Sequence, residues 1–469
     1  MFDIIIIGAG TAGITAYKEA VKFTQNILII NDGAWDTTCA RVGCMPSKVL
    51  ISSANRAFDI EHSNLVGLKS TSKIDTSNVL EHVRELRDRF TRATLKDVNS
   101  WDKAHKVSGK AYFIDAHSIQ VNNQTYQAKS FIIAVGSRPT INQEWQDELG
   151  ELYLSSDQIF EIPNLPKSIA VVGSGVIAIE LAQAMQRLGV ETTIFARSQK
   201  VGSLSSPNLQ LLAQETLASE LSIKYKVLPD QIKKYRNKAK IIYTENGIPQ
   251  TLITDYILSA TGRTTNLDTL TLENVESRFK DIKNLPINET TKQLANLPIY
   301  VVGDAFSNTP IQHVAAHEGR LAVLRCLNDP KSMPEKILTP LGIMFSSPEM
   351  AGVGRNYQSL KEQNIDFITG FANYEKQGRA IVNGENIGAV EVYVDIQSRK
   401  ILGAELFIYD AEHLAHLLAW MIAQHSTIDE ILENPFYHPT IEEGLRTALK
   451  HARRQLPPLQ QSEHQPKRA

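Results

Sequence analysis

Two of the three cysteines lie close together, in the run Cys39-Ala40-Arg41-Val42-Gly43-Cys44-Met45-Pro46-Ser47-Lys48. Paired thiols serve a metal, a structural disulfide or a redox couple. Zinc sites space their cysteines two to four apart and need a second ligand pair, which this chain lacks, so no metal is expected. So few cysteines in 469 residues fit a reducing compartment, where a structural bridge does not persist. A redox-active dithiol fits better. A bridge needs Cα atoms ~4.4–6.8 Å apart, closer than a regular helix holds residues at this spacing. The backbone is therefore expected to distort around Gly43. A strained bridge is an oxidising, labile one, and a helix starting here would stabilise a thiolate. Cys326 stands alone in an apolar stretch and reads as core.

A second candidate group lies far along the chain, in Tyr437-His438-Pro439-Thr440-Ile441-Glu442-Glu443. Glu443 is placed to hold the His438 imidazole in one tautomer while the other ring nitrogen handles a thiol proton.

Such groups need a scaffold, and the sequence supplies a repeated one. Phe2 to Ile7 is an unbroken apolar strand, followed by the turn Gly8-Ala9-Gly10-Thr11-Ala12-Gly13, a helix over about Ile14 to Phe23, and a strand from Ile27 to Ile30. Continuous β-branched runs indicate strands buried on both faces of a parallel sheet. The pattern returns as the strand Ser168 to Val172, the turn Gly173-Ser174-Gly175-Val176-Ile177-Ala178, a helix to about Arg187 and a strand from Thr192 to Phe195. Both turns carry the dinucleotide fingerprint. Its first glycine makes the tight turn, the second lets backbone reach a pyrophosphate, and the third position, where alanine is tolerated, lets helix and strand pack. The helix N-terminus offers N–H groups to the phosphates.

The strand after each turn should end in the residue that reads the ribose. In the first copy that place holds Asn31, followed by Asp32; either is a candidate. In the second it holds Ala196, with Arg197 next and Lys200 beyond. A guanidinium suits a 2′-phosphate, which points to NADPH over NADH. Three further apolar runs end in glycine, at Gly136, Gly262 and Gly303-Asp304, and read as strand ends approaching a ligand.

Lys and Arg number 49 against 51 Asp and Glu, so no polyanionic or membrane-surface partner is called for, and nucleic-acid binding has no electrostatic support. No apolar run is long enough to span a bilayer, and no signal peptide is read at the start. A cytoplasmic enzyme is the expectation.

Taken together the chain resembles the flavin-dependent, class I pyridine nucleotide–disulfide oxidoreductases, and among them it is most similar to the dihydrolipoyl dehydrogenases. The resemblance extends to about Lys450 and rests on motif order: flavin fingerprint, Cys pair, nicotinamide fingerprint, Gly303-Asp304, His438 and Glu443. It implies an α/β fold with two Rossmann-like doubly wound domains, for FAD and NAD(P), and a C-terminal α+β dimerisation domain. The expected bounds are 1–150 and 271–338 for the flavin domain, 151–270 for the nicotinamide domain, 339–452 for the dimerisation domain, and 453–469 for a disordered tail.

The resemblance further implies roles. Cys44 is the flavin-proximal thiol and Cys39 the interchange thiol. Lys48 sits near the flavin and pairs with Glu180. Asp304 holds the ribityl chain. His438 is an acid–base supplied by the partner subunit of a homodimer. The substrate would be a small dithiol or disulfide, including a lipoyl group on a carrier protein, and the reaction oxidation of dihydrolipoamide by NAD⁺. Alternatives are an NADPH-dependent reductase of another small disulfide and a non-catalytic flavoprotein.

Departures from the family are local. Thr37-Thr38 stands where Gly-Gly-Thr usually precedes the first Cys. Ala40-Arg41 replaces Leu-Asn or Val-Asn, and Arg41 places a cation near the dithiol, which favours a thiolate. Val176 replaces the tyrosine of the glutathione reductase branch. No cysteine follows Cys326, so the C-terminal metal-handling pair of mercuric reductases is absent.

Overall fold

The computed structural model describes residues 1–306, 310–327 and 338–458. Its first sheet is built on the strand Phe2–Ile7, buried from Ile4 to Ile7. Parallel neighbours lie on both sides, Ile27–Asn31 and the far half of Gln124–Ile133. Lys106–Ser108 extends one edge and Ile299–Val301 returns from far along the chain to pair beside Ile133. The near half of Gln124–Ile133 turns into an antiparallel meander with Ser118–Val121 and Ala111–Asp115. Leu267, Leu270, Leu272 and Phe279 pack into this first core, so the chain re-enters it before its last strand.

The second sheet repeats the plan. Ser168–Val172 is flanked by Glu191–Ala196 and Tyr256–Ser259, with Ser222–Tyr225 and Tyr153–Ser155 at the edges, all parallel. Strands buried on both faces need continuous apolar sequence, which Ser168 to Val172 supplies.

Beyond Pro340 the pattern changes to a five-stranded antiparallel sheet in the order Leu341–Met344, Glu349–Gly354, Ile401–Ile408, Gly388–Asp395, Phe367–Asn373. The helices Ala411–Ala423 and Glu442–Gln455 share its core through Leu414, Leu418, Leu445 and Leu449. The last helix includes Arg453 and Arg454, inside the stretch expected as a tail, and Leu456 is buried. The rest of that stretch, from residue 459, lies outside the described residues.

The first nucleotide helix spans Thr11–Ala20, not Ile14 to Phe23. Gly10 is its N-cap, at φ −77° and ψ −171°, so the first turn overlaps the glycine motif itself. None of the described helices is long and apolar enough to cross a membrane.

Candidate active site and nucleotide sites

The segment carrying the cysteines breaks where chain geometry requires. A single helical turn, Thr38–Arg41, presents Cys39, and a long helix, Cys44–Glu61, begins with Cys44. Between them Gly43 adopts φ −119° and ψ −115°. A Cβ there would come within 3.1 Å of the Thr38 carbonyl oxygen and 3.2 Å of the Cys39 Cα. Glycine thus lets the two thiol-bearing arms close on each other.

Both thiols are free. The Cys39 side chain is the main cause that lowers the Cys44 thiol to about 7, helped by the Lys48 ammonium and opposed by packing. Cys44 in turn, with partial burial, pushes the Cys39 thiol far above the ordinary range. Cys44 also opens a helix without a side-chain cap, where the dipole favours an anion. The two thiols are therefore unequal, with Cys44 the more acidic.

Arg41 was expected to be the cation beside the dithiol, and the structure corrects this. Its Nε lies 3.0 Å from Asp36 Oδ1. The cation that acts on both thiols is Lys48, one turn along the same helix as Cys44.

Lys48 is held by the second domain. Its Nζ donates to Glu180 Oε2 at 2.8 Å and lies 4.7 Å above the Phe345 ring. Glu180 is buried, and its other oxygen accepts the Phe345 N–H at 2.8 Å. The contact continues along both helices. In the helix Val176–Arg187, Gln183 donates to Ser347 O and accepts from Ser347 N, both at 2.8 Å. Arg187 grips Glu220 at 2.6 and 3.1 Å, reaches Asn55 Oδ1 at 2.7 Å, and lies 3.9 Å over Phe58. A polar seam thus joins the Cys44–Glu61 helix, the second nucleotide helix and the Phe345–Ser347 segment. Reading the sequence missed Asn55, Gln183 and Arg187. The signal was present, since Glu180, Gln183 and Arg187 share one face of a mostly apolar helix.

The two glycine turns divide their labour in the same way. A Cβ on Gly8 would meet Ala134 O at 2.4 Å, and one on Gly173 would meet Ala260 O at 2.4 Å. A Cβ on Gly13 would meet Gly8 O at 1.8 Å, while Ala178 fits fully buried at the corresponding place. On Gly10 and Gly175 a Cβ would meet nothing within 4 Å. The outer positions therefore serve packing and the middle glycine keeps the approach to the helix N-terminus open. Neither helix has a side-chain cap, so their first N–H groups stay available to phosphate. This donor set fits the pyrophosphate of a dinucleotide such as FAD or NAD(P) at either turn. Gly136 and Gly262, at φ +64° and +126°, likewise face open space.

At the strand ends the structure separates the candidates. Asn31 Oδ1 accepts the Ala9 N–H at 2.9 Å, and its amide donates to Gly33 O and Ala34 O. Asn31 thus braces the first turn, and its donors are engaged there rather than left for a ribose. Asp32 is exposed. Arg197 is exposed just past Ala196, while the Lys200 Nζ donates to Gln358 Oε1 at 3.3 Å. Asp304 is half-buried, and burial pushes its carboxyl up, with the Arg263 guanidinium pulling the other way. Gly303 N donates to buried Glu318, which Lys292 neutralises at 2.9 Å. Cys326 closes the helix Gln312–Cys326, where burial pushes its thiol up to about 12. Among the described residues no cluster of three or more side chains is arranged to hold a metal.

His438 stands on the third domain and is 79% exposed in this chain. Its Nδ1 lies 3.0 Å from Glu443 Oε2. Glu443 also accepts the Thr440 N–H, and these bonds hold its carboxyl below the usual range. The ring is oriented through Nδ1, and no partner of Nε2 is found among the described residues.

Residues 2–319 match the family model of the pyridine nucleotide-disulphide oxidoreductases, and residues 341–449 match the dimerisation domain of the same family. The chain belongs to the pyridine nucleotide-disulphide oxidoreductases. This family comprises FAD-dependent enzymes that act on sulfur groups with NAD(P). A mercuric reductase of Staphylococcus aureus is 29% identical over 95% of this chain and 82% of its own length. A dihydrolipoyl dehydrogenase of Mycoplasma genitalium is 28% identical over 96% of this chain and 98% of its own. Among solved structures, LpdA from Mycobacterium tuberculosis superposes with a TM-score of 0.81 at 21% identity, covering 96% and 99% of the two chains. The oxidoreductase's fold matches that of LpdA, and its C-terminal sheet lies in the family's dimerisation domain.

Proposed function

We infer that the enzyme passes two electrons between a small dithiol and a pyridine nucleotide by way of Cys39 and Cys44, with dihydrolipoamide the leading substrate class. The observation that carries this reading is the placement of Cys39 on a single turn and Cys44 at the start of the next helix, brought together across Gly43 with Lys48 one turn further on. Bound FAD supplies the two-electron relay between this pair and the nicotinamide.

The chain's own part is thiol exchange and proton handling. In the oxidised state a substrate thiolate attacks Cys39 Sγ, the Cys39–Cys44 bond breaks, and Cys44 leaves as the stabilised thiolate. The second substrate thiol attacks the mixed disulfide, and Cys39 is released as a thiol. His438 from the partner subunit takes the proton of the attacking thiol through Nε2, with Glu443 holding Nδ1, and the proton of the second substrate thiol goes to Cys39. A reactive imidazole that is 79% exposed in its own chain suits a site completed by a homodimer.

A second reading has its own support. Exposed Arg197 beside Ala196 suits a 2′-phosphate, favouring an NADPH-dependent reductase of another small disulfide. Mercuric reduction has less, because no cysteine follows Cys326. Steady-state turnover of dihydrolipoamide with NAD⁺ and NADP⁺, beside oxidised glutathione with both reduced nucleotides, decides between them. Dihydrolipoamide turnover supports the first reading. Turnover confined to glutathione and NADPH replaces it with the second.

A further inference from the structure

The two departures around Cys39 meet in space. The family's Gly-Gly-Thr ends at the first cysteine, so its first glycine falls on Asp36, and its asparagine falls on Arg41. In this chain Asp36 is 8% exposed and its Oδ1 is buried. No donor among the described residues is aligned on that oxygen, and Arg41 Nε stands 3.0 Å from it. A buried carboxylate left without a countercharge is costly, so Asp36 depends on the half-exposed Arg41 beside it.

Their placement gives the pair a task. Asp36 lies just before the single helical turn Thr38–Arg41 and Arg41 is its last residue, so the contact ties entry to exit. An isolated turn of helix is unstable, because nucleation fixes several dihedrals for one hydrogen bond. This one also has the Thr37 Oγ1 cap on the Ala40 N–H at 3.1 Å, and Ala40 is buried. The turn presents Cys39, whose position relative to Cys44 sets how readily the two sulfurs join.

We propose that Asp36 and Arg41 are a positioning pair that replaces the family's glycine and asparagine and locks the turn presenting Cys39 to Cys44. The proposal rests on the dithiol reading above, but its test does not use turnover. In the FAD-loaded protein, without substrate or nucleotide, the equilibrium between the Cys39–Cys44 dithiol and disulfide is titrated in glutathione buffers and read by alkylation and mass. Asp36→Gly and Arg41→Asn singly each leave one partner without the other. Each is expected to shift the equilibrium toward the dithiol by about tenfold, because a loosened turn lowers the effective concentration of one thiol at the other. The double variant rebuilds the family's combination and is expected to return within about threefold of the parent, a strongly non-additive cycle.

Singles that leave the equilibrium within about twofold of the parent overturn the proposal, as does a double variant whose shift equals the product of the singles. Should a single fail to fold, Asp36→Asn and Arg41→Gln provide the same cycle with side-chain size kept. Loss of the dithiol reading would be seen separately, as full disulfide turnover by Cys39→Ser.

Discussion

Lys48 donates to Glu180 at 2.8 Å, and this bond ties the helix that begins with Cys44 to the helix that follows the second glycine turn. Cys44 and the second glycine turn are thereby fixed to each other by a buried carboxylate. The electrostatics of Cys44 then depend on a residue one domain away.

The pH dependence of Cys44 alkylation tests this. With its thiol at about 7, Cys44 in the reduced protein should stay reactive down to near neutrality. Cys39→Ala removes the largest stabilising contact and should move the midpoint up toward the ordinary thiol range of ~8.5. Lys48→Met should move it the same way by less. The variants then lose rate at a higher pH than the parent as acid is added. Iodoacetamide labelling with site assignment by mass spectrometry gives the midpoints, and an unmoved midpoint in Cys39→Ala removes the Cys39 side chain as the cause.

Subunit mixing tests where His438 works. A Cys39→Ser/Cys44→Ser chain and a His438→Gln chain should each be inactive toward dithiols. Co-expressed at equal levels, they should recover about one quarter of parental turnover, since half of randomly paired dimers then hold one complete site. No recovery would place cysteines and histidine of one chain in one site.

Arg197→Ala should lower kcat/KM for NADPH by about tenfold or more, as expected for losing a guanidinium–phosphate contact, and leave NADH nearly unchanged. Equal effects on both nucleotides would reduce Arg197 to a surface cation.

Arg187→Leu removes the centre of the polar seam and leaves Glu220 and Asn55 facing an apolar side chain. A buried ion pair broken from one side costs ~3–5 kcal/mol, so the thermal midpoint should fall clearly. Calorimetry reads it. An unchanged midpoint would mean that the seam holds without its arginine.

The parallel sheets were legible in the sequence because strands covered on both faces cannot alternate, and Ile4 to Ile7 and Ile169 to Val172 do not. The break at Gly43 was legible because five helical steps separate two sulfurs too far. Arg41 was misjudged because sequence proximity to a thiol says nothing of direction, and its guanidinium turns to Asp36. The partners of Gln183 and Arg187 were hidden for a related reason. Which residues meet across two helices is set by how the domains pack, and spacing within one helix shows only that a polar face exists.

The shared backbone of the two glycine turns has an evolutionary consequence. Gly8 and Gly173 press against equivalent carbonyls and Gly10 and Gly175 open onto equivalent space, so neither loop's main chain discriminates one dinucleotide from another. Discrimination falls to side chains at the strand tips, where Arg197 is exposed and Asn31 braces its own turn. A change of coenzyme preference then calls for a new side chain at such a tip and for none in the backbone beneath.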